Sequence, residues 1–149
     1  MKFLAIIVAS ALLWGAKASE TDMERIRVNY VKAASDKKVC GAMIDELSET
    51  HRSPLHQAYL GGFKAIWAKH AFNPFAKLAT FNKGKKYIEQ AVSEDPQNVE
   101  IRFIRLSVQK NCPSFLGYDS QIEKDRQFIV ANRGSVTSAQ LKKMLEDIR

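Results

Sequence analysis

The sequence is poor in the patterns that usually carry chemistry. It holds three histidines, His51, His56 and His70, with no two spaced i, i+4, and neither a His-Glu-x-x-His nor a Cys-x-x-Cys pattern. These absences argue against a metal site, because zinc needs several nitrogen or sulfur donors converging on one point. There is no Gly-x-Ser-x-Gly elbow, and Lys83-Gly84-Lys85-Lys86 lacks the glycine spacing and preceding strand of a phosphate loop. Glu89, Glu94 and Asp95 are candidates for the facing carboxylates of glycoside cleavage, but such groups on a helix surface are more often solvated. No catalytic residue, cofactor or metal is assigned from the sequence.

Cysteine is scarce as well. Cys40 and Cys112 alone do not make a disulfide scaffold. In an oxidising compartment they are a candidate bridge, worth up to about 4 kcal/mol in the chain-entropy picture. The competing reading is two buried free thiols packed as small hydrophobes. Long apolar runs are also missing. The longest, Phe3 to Trp14, is interrupted by Ser10 and falls short of the roughly 20 residues of a membrane span. Lys2 precedes it and Ala16-Lys17-Ala18 follows it, ahead of Ser19, which is the layout of a secretory signal peptide. Residues 1–18 are therefore expected to be cleaved, leaving one domain, 19–149, exported to the periplasm or beyond. No cysteine lies near the cut, which argues against a lipoprotein anchor.

The formal charge is +7, and loss of the leader with its Lys2 and Lys17 would lower it to +5. Distribution matters more than size. Residues 50–88 contain no Asp or Glu, yet carry Arg52, Lys64, Lys69, Lys77, Lys83, Lys85 and Lys86. One reading is a basic face for an anionic partner, with Lys83, Lys85 and Lys86 as candidate anion-binding residues. The other is that the acidic N-terminal helices, with Glu20, Asp22, Glu24, Asp36, Asp45, Glu46 and Glu49, fold back and neutralise it. Nucleic acid is a poor candidate for an exported chain without a recognisable binding motif.

What is abundant is helical periodicity. Apolar residues at helical spacing predict helices over about 22–34, 37–47, 55–71, 74–94, 99–110, 120–132 and 138–148. Ser53-Pro54 and Asn73-Pro74 supply a cap followed by proline at the first helical position. The fourth helix is expected to kink near Gly84, and Asp95-Pro96 to end it. The fifth is apolar nearly all round, which predicts a central position; Arg102, Arg105 and Gln109 form its polar stripe. Phe115, Leu116 and Tyr118 are expected to fold back on the core. Ser120 with Glu123, and Thr137 with Gln140, match capping boxes, and Gly134 suits a left-handed helix terminus. Inward residues are expected at Ile122, Phe128, Ile129 and Val130, then at Leu141, Met144, Leu145 and Ile148. No stretch alternates like a strand, so the class is all-α, a helical hairpin array of six to seven helices.

Gly84, Ile88, Ala91 and Pro96 fall at intervals of 4, 3 and 5. This rhythm resembles the second helix of a tetratricopeptide repeat, and Leu60-Gly61 resembles the Leu-Gly of its first helix. Gly61 and Gly84 are 23 residues apart, where the repeat has about 12, so the resemblance requires an insertion around residues 71–80. Tyr59-x-Gly61, Asn73-Pro74-Phe75-x-Lys77, residues 100–106 and Pro113-x-Phe115-Leu116-Gly117-Tyr118 together resemble a group of small exported proteins of Gram-negative bacteria. That resemblance implies export and a helical fold, and it supplies no catalytic residues.

Arg102 and Arg105 are the residues singled out. At i, i+3 they share one side of the most apolar helix. They are candidates for an anion or carboxylate clamp in a groove, with Tyr59, Trp67 and Tyr118 lining it. The structural alternative bonds them to Glu or to loop carbonyls near Pro113 to Tyr118. The function expected is a non-enzymatic exported module that binds a protein or peptide partner through a groove. The alternative is a basic binder of anionic envelope lipid or glycan. A small hydrolase with an unrecognised site ranks last.

Overall fold

A computed structural model describes residues 12–50 and 53–149, with the side chains of residues 12–19 and 21 left aside. The expected leader, residues 1–18, falls largely outside the described residues, as do His51 and Arg52. The described chain is all-helical, with seven α-helices and no strand. They are α1 (Leu12–Ala33), α2 (Lys37–Thr50), α3 (Pro54–Ala68), α4 (Pro74–Glu94), α5 (Val99–Asn111), α6 (Ile122–Asn132) and α7 (Ala139–Leu145). Short 3-10 turns lie at Ser114–Leu116 and Arg133–Ser135.

Side-chain caps set most of the helix starts. The Asp36 carboxylate accepts from the amides of Lys38 and Val39 at 3.0 and 3.1 Å. Asn73 Oδ1 accepts from Phe75 and Ala76, and Asn98 Oδ1 from Glu100 and Ile101. Ser53 and Ser138 cap α3 and α7 through their hydroxyls. Each such cap is worth about 1 kcal/mol. The expected start of α6 is not observed. No capping box forms at Ser120, because Glu123 turns outward to Arg126 and Gln127. The helix begins at Ile122 instead, and the Gln121 amide is taken by Gln109 Oε1 of α5 at 3.0 Å. Gly134 sits in a 3-10 turn, and the one positive φ among the described residues belongs to Gly117, at 61°.

The tightest packing in the molecule is between α3 and α4. The two helices cross backbone against backbone. A Cβ on Gly61 would lie 2.6 Å from the Gly84 carbonyl oxygen, and one on Gly84 would lie 2.6 Å from that of Gly61. Glycine at both positions lets the axes close, so Gly84 serves the crossing and α4 runs unbroken through it, without the expected interruption. The hairpin at the centre therefore turns at Asn73-Pro74. α4 and α5, joined at Asp95-Pro96, also touch, but less extensively.

α5 is the shared wall of two cores. Its Ile101, Ile104 and Val108 face α1 to α4, together with Ile26, Tyr59, Phe63 and Ile88. Its Val99 and Leu106 face Ile129 of α6 and Leu141, Leu145 and Ile148. A helix wedged between two cores has to be apolar on most of its circumference, which explains its sequence. Tyr30, Tyr59 and Phe63 meet edge-to-face inside the first core, with Tyr30 5.3 Å from Tyr59 and 5.4 Å from Phe63. Ser138 donates to Glu24 and so ties α7 back to α1. Two expected inward residues are not inward: Val130 is exposed, and Phe115 projects into solvent while Tyr118 is buried.

Candidate functional site

The arginine stripe of α5 is occupied from within. Arg102 and Arg105 are 8% and 4% exposed, and α6 presents Asp125, which is fully buried, to both. Asp125 Oδ1 accepts from Arg102 Nη1 at 2.9 Å and from Arg105 Nη2 at 2.6 Å. Its Oδ2 accepts from Arg105 Nε at 2.7 Å and from Gln109 Nε2 at 3.1 Å. Arg102 Nε also donates to the Pro96 carbonyl, and Arg105 Nη1 to Glu89. The polar stripe is thus a receptor for one carboxylate of the same chain, and no open groove runs over it. Both arginines are engaged within the chain, as in the structural alternative, with Asp125 in place of the glutamate or the 113–118 carbonyls as the main acceptor.

The aromatic residues proposed to line that groove do not assemble there. Tyr59 is buried and donates to Glu100, which also takes Arg27 in a two-pronged contact at 2.8 and 2.9 Å. Burial and the Glu100 charge raise the Tyr59 phenol well above its ordinary range. Tyr118 is buried and donates to Glu89 at 2.7 Å, so it does share a carboxylate with Arg105. Trp67 lies elsewhere, half-buried against Gly41 of α2, with Lys37 Nζ 5.2 Å above its ring. The carboxylates Glu89, Glu94 and Asp95 are each engaged locally, by Arg105 and Tyr118, by Gln90 and by Asn98 respectively.

The cysteines are free thiols. Cys40 Sγ donates to the Phe63 carbonyl, and Cys112 Sγ points at the carbonyls of Gln109 and Tyr118. The candidate bridge between them is therefore not present. Burial raises both thiols, Cys40 to about 11, so neither is an activated nucleophile. Among the described residues no group of three His, Cys, Asp or Glu converges as a metal site would require.

The basic stretch is not neutralised as expected. Four acids of α1 and α2 are taken by arginines instead, Asp22 and Glu46 by Arg25, Glu20 and Glu24 by Arg27. Asp36 caps α2, and Asp45 offsets part of the charge of Lys64 without forming an ion pair. No lysine between residues 64 and 86 forms an ion pair with a described residue. Lys83 and Lys86 are exposed, and Lys85 lies 4.9 Å over the Tyr118 ring. Burial, then the neighbouring Lys83, lowers the Lys64 ammonium.

Among the described residues, an open apolar feature lies at the Asn73-Pro74 end of the α3–α4 hairpin. Residues 72–79 are all exposed, because α4 begins ten residues ahead of the Gly84 crossing and overshoots the bundle. Phe72 and Phe75 at this tip are 97% and 84% exposed, and Phe115 on the turn after α5 is 85% exposed. Between the tip and that turn lies a groove of about 990 Å³. It is lined by Phe75, Leu78 and Phe81 of α4, Phe115 and Leu116 of the turn after α5, and Tyr30, Val108 and Met144. Several of its polar groups are already paired. Tyr30 and Ser107 share a hydrogen bond of 2.7 Å, and Asn111 donates to the Ser107 carbonyl. Lys69, Lys77, Lys143 and Asp147 supply its charges.

Comparison of the chain with protein-family models, curated proteins and solved structures finds no match. The site therefore has to be read from its own chemistry. It offers apolar contact, aromatic edges and a cationic margin. The sequence pointed to Phe115 and Leu116 as residues returning to the core, and missed Phe72, Phe75 and Leu78. The available signal was three large apolar residues, Phe72, Phe75 and Leu78, spaced i, i+3, i+6 inside the segment that the repeat comparison marked as inserted.

Proposed function

We propose that the chain is a non-enzymatic helical binding module, exported after loss of residues 1–18, and that it acts through the groove at the hairpin tip. One observation carries the reading. Phe75 and Phe115, from separate segments of the chain, both line an apolar groove of about 990 Å³ while more than four-fifths exposed. Burying a phenylalanine side chain is worth about 1.5–3 kcal/mol, so surface left uncovered in this way marks an interaction site. The volume lies at the upper end of the ~300–1,000 Å³ usual for ligand pockets.

Two kinds of partner are in play. The resemblance of α3–α4 to a tetratricopeptide hairpin, with its Gly61–Gly84 crossing, supports a protein or peptide partner. The acid-free wall of residues 65–81 supports an anionic envelope lipid. Hydrolysis has little support, since the thiol in the groove is not activated and the nearby hydroxyls are tied to each other.

A titration with the apolar anion 1-anilinonaphthalene-8-sulfonate tests the site itself. The expected result is saturable fluorescence that weakens about tenfold or more in Phe75→Ser with Phe115→Ser. Equal binding by the double variant would place the site elsewhere.

A further inference from the structure

We infer that the hairpin tip docks on an anionic membrane surface, with the groove taking one acyl chain of a phospholipid. This rests on the groove being the binding site and adds the identity of its occupant. Three observations favour a lipid surface over a polypeptide.

The first is that the exposed aromatics extend past the groove. Phe72 is 97% exposed and does not line it, yet it stands three residues before Phe75, which does. A rod-like occupant lying in the groove leaves Phe72 in water, whereas an extended apolar phase receives Phe72, Phe75 and Phe115 together. Aromatic rings at the lipid boundary, with lysines reaching toward headgroups, are the usual composition of interfacial docking.

The second is charge. The groove's charged groups are Lys69 and Lys77 on the tip side, Lys143 on α7 and Asp147 in the turn that follows it. Lys69 and Lys77 belong to a stretch of 39 residues, 50–88, without an acid, and neither forms an ion pair with a described residue. Lysines near an anionic leaflet gain attraction without needing a matched partner, so phosphate headgroups complement this margin.

The third is the shortage of groups for polypeptide recognition. A protein interface carries a rim of directed hydrogen bonds. Here the walls are helices and one 3-10 turn, so no strand edge is on offer. Tyr30 and Ser107 bond to each other and Asn111 to the Ser107 carbonyl, which leaves Gln140 as the one uncharged side-chain amide in the lining without a hydrogen bond to a described residue. A methylene chain needs none of these.

The test uses protein recovered from the envelope of an exporting host, with its N-terminus read by mass spectrometry. It is mixed with vesicles of phosphatidylglycerol or phosphatidylcholine containing a trace of the same lipid with a diazirine on its acyl chain. After illumination the crosslinked peptides are mapped. Crosslinks are expected in residues 69–81, 112–116 and 140–147, and only with phosphatidylglycerol. They should fall about tenfold for each of Phe72→Ser and Phe75→Ser, and about fivefold for each of Lys69→Gln and Lys77→Gln. Crosslinks confined to residues outside the groove, equal labelling from phosphatidylcholine, or displacement by a second copy of the chain or by an acidic amphipathic peptide would overturn the inference. If vesicles fail while the naphthalene sulfonate still binds and is lost in the Phe75 and Phe115 variant, the groove stands and only its lipid occupant falls. If both fail, the groove falls too.

Discussion

The seam between α5 and α6 and the tip of the α3–α4 hairpin are opposites. The seam is polar and closed: Asp125 accepts four hydrogen bonds from Arg102, Arg105 and Gln109, with no solvent exposure. The tip is apolar and open, with eight consecutive exposed residues and two phenylalanines in water, faced by a third, Phe115, on the turn after α5. Two arginines on one helix face look like a ligand clamp, but a carboxylate of the same chain already fills it. Binding capacity remains where surface has been left uncovered.

Breaking the seam should produce the largest effect. Asp125→Ala leaves Arg102 buried without a counter-ion and Arg105 with Glu89 alone, and is expected to cost about 3–5 kcal/mol of unfolding free energy, measured by urea titration. Groove binding extrapolated to the folded fraction should be unchanged. Next comes the crossing beneath the tip. In Gly61→Ala the new Cβ meets the Gly84 carbonyl oxygen at 2.6 Å, a backbone atom that cannot swing aside. A loss of about 2–3 kcal/mol is expected, with the tip displaced and naphthalene sulfonate binding weakened.

Alkaline pH probes the closed interior without touching the tip. Burial raises Cys40 from 9.0 to about 11. The unfolded chain therefore gives up this proton first, so the stability it contributes is whole below pH 9 and is lost as pH climbs from 9 to 11. This thiol's share of the fall should be on the order of 2 kcal/mol. Cys112, Tyr30, Tyr59 and Tyr118 are raised as well and add to the loss at alkaline pH, so Cys40→Ala should reduce the fall without abolishing it. Smallest of all should be the effect of the tip on stability. Phe75→Ser and Phe115→Ser are expected to stay within about 0.5 kcal/mol of the parent, because neither ring is part of a core.

Local signals were legible in the sequence. Asn73-Pro74 and Asp95-Pro96 bracket α4 at its observed bounds, and Asn98 caps α5 as its residue type suggests. The all-α class followed from the same periodicity. Failures came where a distant residue outbid a local one. Ser120 and Glu123 satisfy the capping pattern, yet Gln109, a turn of chain away on α5, claims the Gln121 amide. The stripe of Arg102, Arg105 and Gln109 was visible, but its ligand was not. Asp125 shares a helix face with Ile122 and Ile129, and a lone acid at such a position has no partner that spacing can name. The groove was least legible, because its walls come from α1, α3, α4, α5 and α7 and exist only once these meet.

The division between closed seam and open tip is tested most directly by backbone amide shifts in a 15N-labelled sample titrated with 1-anilinonaphthalene-8-sulfonate. The account predicts perturbations gathered at residues 65–81, 107–116 and 140–147, with residues 122–129 of α6 undisturbed. Perturbations centred on Arg102, Arg105 and Asp125, with the tip silent, would contradict it.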